Sequence, residues 1–403
     1  MRGEFYCKEV ISMAYTHIDC FSGSGGICTG LRAAGFETLV AIEMIKSCVD
    51  TYTANHPSVN IIHSDIRLVG EQQLLPFIPA EGVDLVTSGM PCETFSTAGN
   101  TSRSFYDDRC FLFREGIRIA SIANSKMLLL ENVPAITSKR VAKSSSMLVV
   151  DVLKKELVEA GYANMIEVVL NSADFGVPQR RKRYFILASR FPKWNLSSPS
   201  LNWGKEVTVS QALAGLPNVI PNSAEEGKSY TDEINPYVEL MRNNSFWRLH
   251  DGAECAKVTY QMPMNHRACT LERFSLLRPG EGLKDLFDRF TGEEREALQL
   301  RRVLPKKMFI KRNMRLLLED TSPTLTSHCL DEFVHPIYDR ALTVRECARL
   351  QSFPDSYDFA GGPYIVPHIN KEVQDKYEQI GDAVPPLLAY EWGKTISKTL
   401  EAS

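Results

Sequence analysis

The sequence lacks several features that would place a protein in a special class. No apolar run approaches the roughly 18–20 residues that a membrane-spanning helix needs, so we expect no membrane partner. The ten cysteines include no Cys-x-x-Cys pair, which argues against a zinc ribbon, and no metal is expected. Residues 1–15 lack the apolar segment of a secretory signal. We therefore expect a cytoplasmic protein with reduced thiols.

A dominant charge of one sign is missing as well. The 46 Lys and Arg residues are balanced by 49 Asp and Glu residues, and the formal net charge is −3. A nucleic-acid partner would therefore have to be attracted by a local basic patch. With 403 residues, 44% hydrophobic and 24% charged, the chain can bury a sizeable core and has the length of two domains.

Short apolar segments alternate with helix-like segments over the first 190 residues. Hydrophobic residues recur at helical spacing over 146–161, where Gly161 is a candidate helix end. This alternation predicts an α/β fold with a doubly wound, mostly parallel sheet that is covered on both faces. The predicted strands are 16–19, 38–42, 83–87, 127–130, 165–170 and 184–188.

The character of the sequence changes over 191–325. Asn, Ser, Pro and Gly become frequent there, and regular periodicity is weak. This segment is predicted to form a second, smaller and irregular domain, which includes a cationic stretch over 297–318. Helical, apolar sequence returns near Arg345 and after Gln379, so we expect 326–403 to complete the first domain, 1–190.

A glycine-rich segment, Asp19-Cys-Phe-Ser-Gly-Ser-Gly-Gly26, follows the first predicted strand and precedes a helix. Its glycines let the backbone pass close to a ligand at the helix N-terminus. Glu43 follows Gly23 by twenty positions, where a doubly wound fold holds ribose hydroxyls, and Asp65 is placed to contact an adenine. An NAD site would need a glycine where Cys28 stands, so the pattern favours another adenosine-bearing cofactor. A tight turn without a ligand is the alternative.

Two further polar groups are predicted at the same edge of the sheet, and a basic run stands before a later strand. Cys92 follows the strand 83–87, Glu131 follows 127–130, and a basic run with Arg181 and Arg183 precedes 184–188. A cysteine at a strand end can be an activated nucleophile, and a buried glutamate must be paired or protonated. The alternatives are a small buried thiol, a helix-capping glutamate and a solvated basic turn.

Taken together, these segments resemble the C5-cytosine DNA methyltransferase family of bacterial type. The resemblance covers roughly 16–190 and 325–400 and leaves the middle unmatched. It rests on six motifs in order: Phe21-x-Gly-x-Gly-Gly26, Pro91-Cys-x-x-Phe-Ser96, Glu131-Asn-Val133, Gln179-x-Arg-x-Arg183, Leu342–Pro354 and Gln379–Pro386.

The resemblance implies a Rossmann-like, S-adenosylmethionine-dependent methyltransferase that acts on cytosine in double-stranded DNA. Cys92 would add to C6 of a flipped cytosine, which makes C5 nucleophilic enough to accept a methyl group. Glu131 would hold or protonate N3. Arg183 and Arg181 would contact the base or orient the site.

The resemblance also implies a cofactor site. Phe21 would face the adenine, Glu43 the ribose and Asp65 the adenine amino group, while Ala383 and Val384 would close the methionine end. The full expected set for S-adenosylmethionine is Phe21, Ser22, Gly23, Gly25, Gly26, Glu43, Met44, Asp65, Ile66, Pro91, Ala383 and Val384.

DNA contacts are expected from two regions. Ser96 and Arg109 lie in the part of the chain that resembles the family's mobile loop, and 191–325 would be the target-recognition domain. Its cationic run would contact phosphates, unless it forms one solvated helix face. The expected phosphate contacts in that run are Arg301, Arg302, Lys306 and Lys307, and the candidates for reading base edges are Tyr260, Asn265, His266 and Arg267.

The expected biological setting is a restriction–modification or other defence system, with a cognate endonuclease as a possible partner and a monomer as the expected state. A methyltransferase acting on transfer RNA is the alternative enzyme, although the Cys-Phe-Thr signature of that branch is absent. A DNA-binding regulator without turnover is the non-enzymatic alternative. The sequence departs from the family pattern at Glu93, Lys182 and Asp382, which removes no proposed catalytic group.

Overall fold

A computed structural model of the chain describes residues 15–91, 111–142, 144–200, 204–223, 226–253, 255–307, 312–366 and 373–402. Three predicted site residues, Cys92, Ser96 and Arg109, lie outside this part of the chain, as does Glu93. The remaining predicted site residues are all described.

A seven-stranded sheet forms the centre of the fold, in the order β3-β2-β1-β4-β5-β8-β6. Neighbours from β3 to β5 pair in parallel, whereas β8 is antiparallel to both β5 and β6. The prediction of a mostly parallel sheet is therefore confirmed. The strands described up to residue 190 are β1 Tyr15–Cys20, β2 Phe36–Glu43, β3 Asn60–His63, β4 Leu85–Gly89, β5 Met127–Asn132, β6 Asn164–Asn171, β7 Gln179–Arg180 and β8 Lys182–Ser189.

Helices cover both faces of this sheet because its central strands carry apolar residues on both sides. On one face the core joins β1, β4 and β5 to α4 and α5; on the other it joins β4, β5 and β8 to α1 and α15 (Pro386–Glu401). The helices of the first part are α1 Gly26–Ala33, α2 Lys46–Asn55, α3 Glu71–Leu74, α4 Phe113–Ile122 and α5 Val149–Glu159. Helix α5 confirms the predicted helix, and Gly161 follows it with a left-handed φ of 89°.

The later part of the chain is mostly helical among its described residues. Two short strand pairs tie it together: β7 pairs with β10, and β9 pairs with β11. Its elements are α6 Val209–Leu213, α7 Pro236–Arg242, α8 Asn244–Trp247, α9 Ala268–Leu276, α10 Leu283–Arg289, α11 Gly292–Leu300, β9 Met314–Arg315, β10 Ser322–Pro323, α12 Cys329–Glu332, β11 Phe333–Val334, α13 Val344–Leu350, α14 Lys376–Asp382 and α15 Pro386–Glu401.

Two apolar clusters hold this later part together. A larger one joins residues of 207–264 to residues of 316–387, and a smaller one joins α9, α10 and α11 to Val334. Buried ion pairs brace the larger cluster, including Arg349 with Asp355 and Arg340 with Glu346. The division of the chain into 1–190, 191–325 and 326–403 stays a prediction.

Helix α15 returns to pack directly on α1. A side chain on Gly30 would lie 2.2 Å from the carbonyl oxygen of Pro386, and one on Gly393 would lie 2.5 Å from Ala34. Only glycine allows this approach, because any Cβ would collide. The two helices therefore fit through their backbones. Within the described residues, no helix has the length and apolar character needed to cross a membrane.

Candidate active site

The carboxyl edge of the sheet brings a buried carboxyl group and a largely buried guanidinium together. Glu131 and Asn132 are the last two residues of β5, and Arg183 lies near the start of β8. Because β8 runs antiparallel to β5, its beginning meets the end of β5. Arg183 Nε lies 2.9 Å from Glu131 Oε1, and each side chain is 11% exposed. The structure thus brings these two predicted site residues into contact.

Burial decides the protonation of this pair. Removal from water raises the pKa of Glu131 above the ordinary carboxyl value, although Arg183 and then Arg181 lower it. The carboxyl is thus biased towards its neutral form, in which it can donate a proton or a hydrogen bond. A glutamate that only capped a helix would not need to be buried beside two arginines.

The end of β4 faces the same carboxyl group. An ideal Cβ on Gly89 would lie 3.7 Å from Glu131 Oε2 and 3.6 Å from Ile27. Pro91 follows in an exposed position, and the next residue along the chain is Cys92. The absence of a side chain at Gly89 therefore leaves the carboxyl open on the side from which β4 arrives.

The glycine-rich loop has the backbone that its sequence predicts. Phe21, Gly23 and Gly25 all have positive φ, at 56°, 53° and 91°. A Cβ on Gly25 would lie 2.6 Å from the hydroxyl of Tyr357, whereas a Cβ on Gly23 would meet nothing within 4 Å. The loop is therefore tightly packed from below and open at Gly23, where a ligand can approach.

Glu43 holds this loop through its carboxylate. Its Oε2 accepts a hydrogen bond from Gly23 N at 2.8 Å, and its Oε1 accepts from Met44 N and Ile45 N at 2.8 and 2.7 Å. Burial raises the pKa of Glu43, while these backbone donors oppose the rise. Since each carboxylate oxygen has two lone pairs, Oε2 still has capacity for a ligand hydroxyl.

The other residues that are predicted to contact the adenosine differ in their exposure and in their partners. The Asp65 carboxylate accepts from Arg67 N at 3.0 Å and is paired with the Arg67 guanidinium, which lowers its pKa. Ile66 places its side chain in the sheet core, so only its backbone faces the edge. Met44 is 62% exposed beside Glu43, and Phe21 is half-buried against the core.

The methionine end of the predicted site is built by the returning chain. A Cβ on Gly26 would lie 2.3 Å from the carbonyl oxygen of Val384 and 3.2 Å from Ala383. Ser24 Oγ also donates to the carbonyl of Gln379 at 3.1 Å. Ser22 is buried, and its hydroxyl has no hydrogen-bond partner among the described residues. The structure thus brings 383–384 to the glycine-rich loop, as expected.

Arg181 differs from Arg183 in what it contacts. Its guanidinium is buried and donates to the carbonyls of Leu325 at 2.6 Å and Gly381 at 2.9 Å. Lys182, one of the three departures from the family pattern, is exposed between them, and Asp382 accepts from Gln374 Nε2 at 2.9 Å. The two arginines of the motif therefore have separate surroundings.

A buried polar network beneath the loop is missing from the sequence-based site. Thr87 Oγ1 donates to Asp19 Oδ1 at 2.8 Å and lies 2.8 Å from His17 Nε2, while His17 Nδ1 lies 2.9 Å from Thr38 Oγ1. Burial raises the pKa of Asp19 to about 7 and lowers that of His17 to about 3. In the sequence, His17 and Asp19 alternate with apolar Ile18 in β1, and this pattern could have indicated the buried network.

The cationic stretch does not form one solvated helix face, because α11 ends at Leu300. Arg301 is paired with Glu272, and Arg315 is buried against backbone carbonyls such as that of Phe274. The basic residues of this stretch that are exposed in the described part are Arg301, Arg302, Lys306 and Lys307.

The four candidates for reading bases fall into two groups. Tyr260 donates its hydroxyl to Asp358, and the ring nitrogen Nε2 of His266 accepts from Ala341 N at 3.2 Å. Both residues are partly buried by these contacts, and their expected base contacts stay a prediction. Asn265 and Arg267 are exposed, as a reader of base edges must be.

Comparison with known proteins gives a consistent answer. A sequence model described as "C-5 cytosine-specific DNA methylase" matches residues 15–398. The type II methyltransferase M.DdeI of Desulfomicrobium norvegicum is 31% identical over 385 residues, which cover 94% of this chain and 88% of that protein. The type II methyltransferase M1.HphI of Haemophilus parahaemolyticus is 30% identical over 396 residues, which cover 98% and 90%.

Among solved structures, a DNA modification methyltransferase encoded within a prophage (E. coli) has a TM-score of 0.72 to this chain. It is 24% identical and covers 96% of this chain and 100% of its own. At that identity the likeness supports the fold, namely a large central sheet with the same overall path of the chain.

Proposed function

The chain belongs to the family of C-5 cytosine-specific DNA methylases and is a DNA cytosine-5-methyltransferase, and from this premise we propose how its residues perform the reaction. The observation that carries the proposal is the buried pair of Glu131 and Arg183, open towards Gly89 at the end of β4. Family membership supplies the reaction, and this geometry supplies the roles.

Cys92 is the proposed nucleophile. Its thiolate adds to C6 of a cytosine that has been flipped out of the duplex, which breaks the aromaticity of the ring and places electron density on C5. Once C5 carries the methyl group, loss of the C5 proton restores the C5–C6 double bond and expels the Cys92 thiolate from C6. Cys92 comes three residues after Gly89 in the sequence, and the strand that ends at Gly89 faces Glu131, which supports a shared base.

Glu131 is the proposed proton donor to N3 of the base. A protonated carboxyl beside N3 withdraws electrons from C6 as the thiolate attacks, and burial raises the pKa of Glu131 in the direction that this role needs. Arg183 orients the carboxyl through its 2.9 Å contact. As the proton moves to N3, Glu131 becomes an anion, and the adjacent guanidinium stabilises it.

S-adenosylmethionine is the proposed cofactor, and it supplies an electrophilic methyl group when bound. The residues present fit it: the loop is open at Gly23, Glu43 Oε2 keeps a free lone pair for a ribose hydroxyl, and Val384 seals the far end against Gly26. Phe21 is placed at the exposed turn of the loop for an adenine. Asp65 would have to exchange its Arg67 contact to bind an adenine amino group.

The proposed substrate is a short sequence in double-stranded DNA, within a restriction–modification system. The two relatives described above are named as type II methyltransferases, which supports this setting. Exposed Arg302, Lys306 and Lys307 are proposed to contact phosphates, together with Arg109 and Ser96. A cognate endonuclease would then cut the same sequence when it is unmethylated.

Expression in a host that lacks cytosine-5 methylation tests the proposal, with bisulfite sequencing of host DNA and transfer RNA. Protection of cytosine at one short DNA motif is the expected result. Protection confined to transfer RNA would instead make the protein an RNA methyltransferase. A Cys92→Ala variant that still methylates would refute the nucleophile, and no protection by folded wild-type protein would favour a DNA-binding regulator.

A further inference from the structure

Arg181 joins two distant segments of the chain. Its Nη1 donates to the carbonyl of Leu325 at 2.6 Å and its Nη2 donates to the carbonyl of Gly381 at 2.9 Å, and the residue is 1% exposed. Both acceptors are backbone atoms, so the contact fixes the path of the chain. One guanidinium therefore ties the strand before β8 to the end of α14.

Two glutamines make a second link along the same path. Gln179 Oε1 accepts from Leu325 N at 2.9 Å, and its Nε2 donates to the carbonyl of Leu350 at 3.3 Å and to Gln351. Gln351 Nε2 in turn donates to the carbonyl of Ala383 at 2.6 Å. All of these side chains are buried, which makes the links rigid.

The segment held in this way presses on the glycine-rich loop. A Cβ on Gly381 would lie 2.1 Å from the carbonyl of Thr326, and Val384 approaches Gly26 as closely as a glycine permits. A small displacement of 381–384 would therefore change the floor of the cofactor site. Because the segment is packed this closely, we expect it to shift when one of the hydrogen bonds that hold it is lost.

We infer that Arg181 is a positioning residue for the cofactor site: it holds Gly381–Val384 against the glycine-rich loop and does not recognise the cytosine. Arg183, two residues later, contacts Glu131 and serves the base. The inference rests on the proposed function, since it assigns the two arginines of one motif to the two substrates of the reaction.

Arg181→Lys is the variant of choice because lysine keeps the positive charge near Glu131. A single ammonium group cannot reproduce the fork with which arginine holds two carbonyls in fixed directions. Arg183→Lys is the matched variant on the base side. Arg180→Lys is the control, since Arg180 is exposed and paired with Glu206 and Asp320.

Two measurements separate the sides of the site. Calorimetric titration with S-adenosylmethionine, without DNA, gives cofactor affinity. Release of tritium from duplex DNA with [5-³H]cytosine, without cofactor, gives base activation: the thiolate adds to C6, C5 takes a solvent proton, and elimination of the thiolate with loss of the tritium leaves that label in water. The second measurement does not need the cofactor site.

For Arg181→Lys we expect the Kd for S-adenosylmethionine to rise on the order of tenfold, with tritium release within about twofold of wild type. For Arg183→Lys we expect the reverse, and for Arg180→Lys neither change. A fall in tritium release in Arg181→Lys as large as in Arg183→Lys would overturn the assignment, and so would an unchanged Kd.

Gln351→Met keeps the test valid if Arg181→Lys does not fold, because it removes the separate link to Ala383. The same pattern, weaker cofactor binding with normal tritium release, is expected; an unchanged Kd would count against the inference. Wild-type protein that neither binds S-adenosylmethionine nor releases tritium would refute the proposed function itself, a result distinct from any pattern among the variants.

Discussion

Replacing Glu131 with glutamine tests the site most directly, because the change is small in shape and large in chemistry. Glutamine keeps an oxygen that can accept the hydrogen bond which Arg183 Nε now makes at 2.9 Å. It also has an N–H that can donate to N3 of a cytosine. What it lacks is a proton that it can transfer. Any loss of turnover therefore measures proton transfer rather than packing.

The expected size follows from these differences. A positioned acid accelerates a reaction by about 10²–10⁴-fold, which corresponds to about 3–5 kcal/mol of activation free energy. The effect on folding should be smaller, because burial already favours the neutral form of Glu131. Weakening the hydrogen bond from Arg183 to a neutral acceptor should lower the free energy of unfolding by about 1–2 kcal/mol.

The pH profile gives a second, independent readout. If turnover needs protonated Glu131, it must fall as pH rises through the pKa of this group, and burial moves that pKa upward. Glutamine does not titrate. The variant should therefore be slow at every pH and should lack the decline on the alkaline side that Glu131 causes in wild type.

Methyl transfer to duplex DNA, measured with cofactor and DNA each varied, completes the test. Glu167→Gln is the matched control, since Glu167 is exposed on β6 and is held by Tyr184 and Lys154. We expect the control to keep its turnover and Glu131→Gln to lose it with little change in cofactor KM. A loss of less than about threefold, or a rise in cofactor KM that matches the loss, would refute the assigned role.

Three further predictions concern the loop, the buried acid and the cationic stretch. Gly26→Ala should weaken S-adenosylmethionine binding and lower Tm, because its Cβ would lie 2.3 Å from the Val384 carbonyl, whereas Gly70→Ala, with nothing within 4 Å, should change neither. Burial raises the pKa of Asp19 to about 7, so stability should fall as pH rises from 5 to 8; Asp19→Asn should remove most of a drop of at most about 3 kcal/mol, measured by urea unfolding. Replacing Lys306 and Lys307 with Gln should reduce the salt slope of DNA binding by about 1.8 if both contact phosphates, and anisotropy titrations with equal slopes would make them ordinary surface lysines.

Much of the sheet can be predicted from the sequence because each strand is an apolar run ended by polar or glycine residues. The predicted strands 127–130 and 184–188 became Met127–Asn132 and Lys182–Ser189, longer by the polar residues at the site. Hydrophobic pattern finds the buried part of a strand and misses its polar end. Pairing between β5 and β8 could not be seen, since antiparallel insertion of β8 depends on tertiary packing.

Within the site, the end of an apolar run indicated the position of Glu131, but the sequence did not indicate what either arginine reaches. Arg183 contacts Glu131, whereas Arg181 from the same motif reaches backbone carbonyls of residues far along the chain. The alternation of side chains along a strand indicates the face of the sheet on which an arginine side chain starts, but not the residues that its guanidinium contacts. Asp65 shows the same limit, because its partner Arg67 is two residues away and exposed.

The cationic stretch shows why charge runs are hard to interpret. Arg301 and Arg315 look alike in sequence, yet one is paired with Glu272 at the surface and the other is buried. Only exposure after folding decides which cations are available to a phosphate. The interior polar network of His17 and Asp19 was missed for the converse reason, since the partners of these two residues come from two other strands.

The packing of α15 on α1 has a consequence for synthesis of the enzyme. Helix α1 carries the loop for the cofactor, but its outer face is closed by residues 386–401, which the ribosome delivers more than 350 residues later. Contacts so distant in sequence form slowly and late. We expect nascent chains that lack residues 386–401 to be inactive and to expose an apolar surface to chaperones, so that methylating activity appears only after this helix has been synthesised.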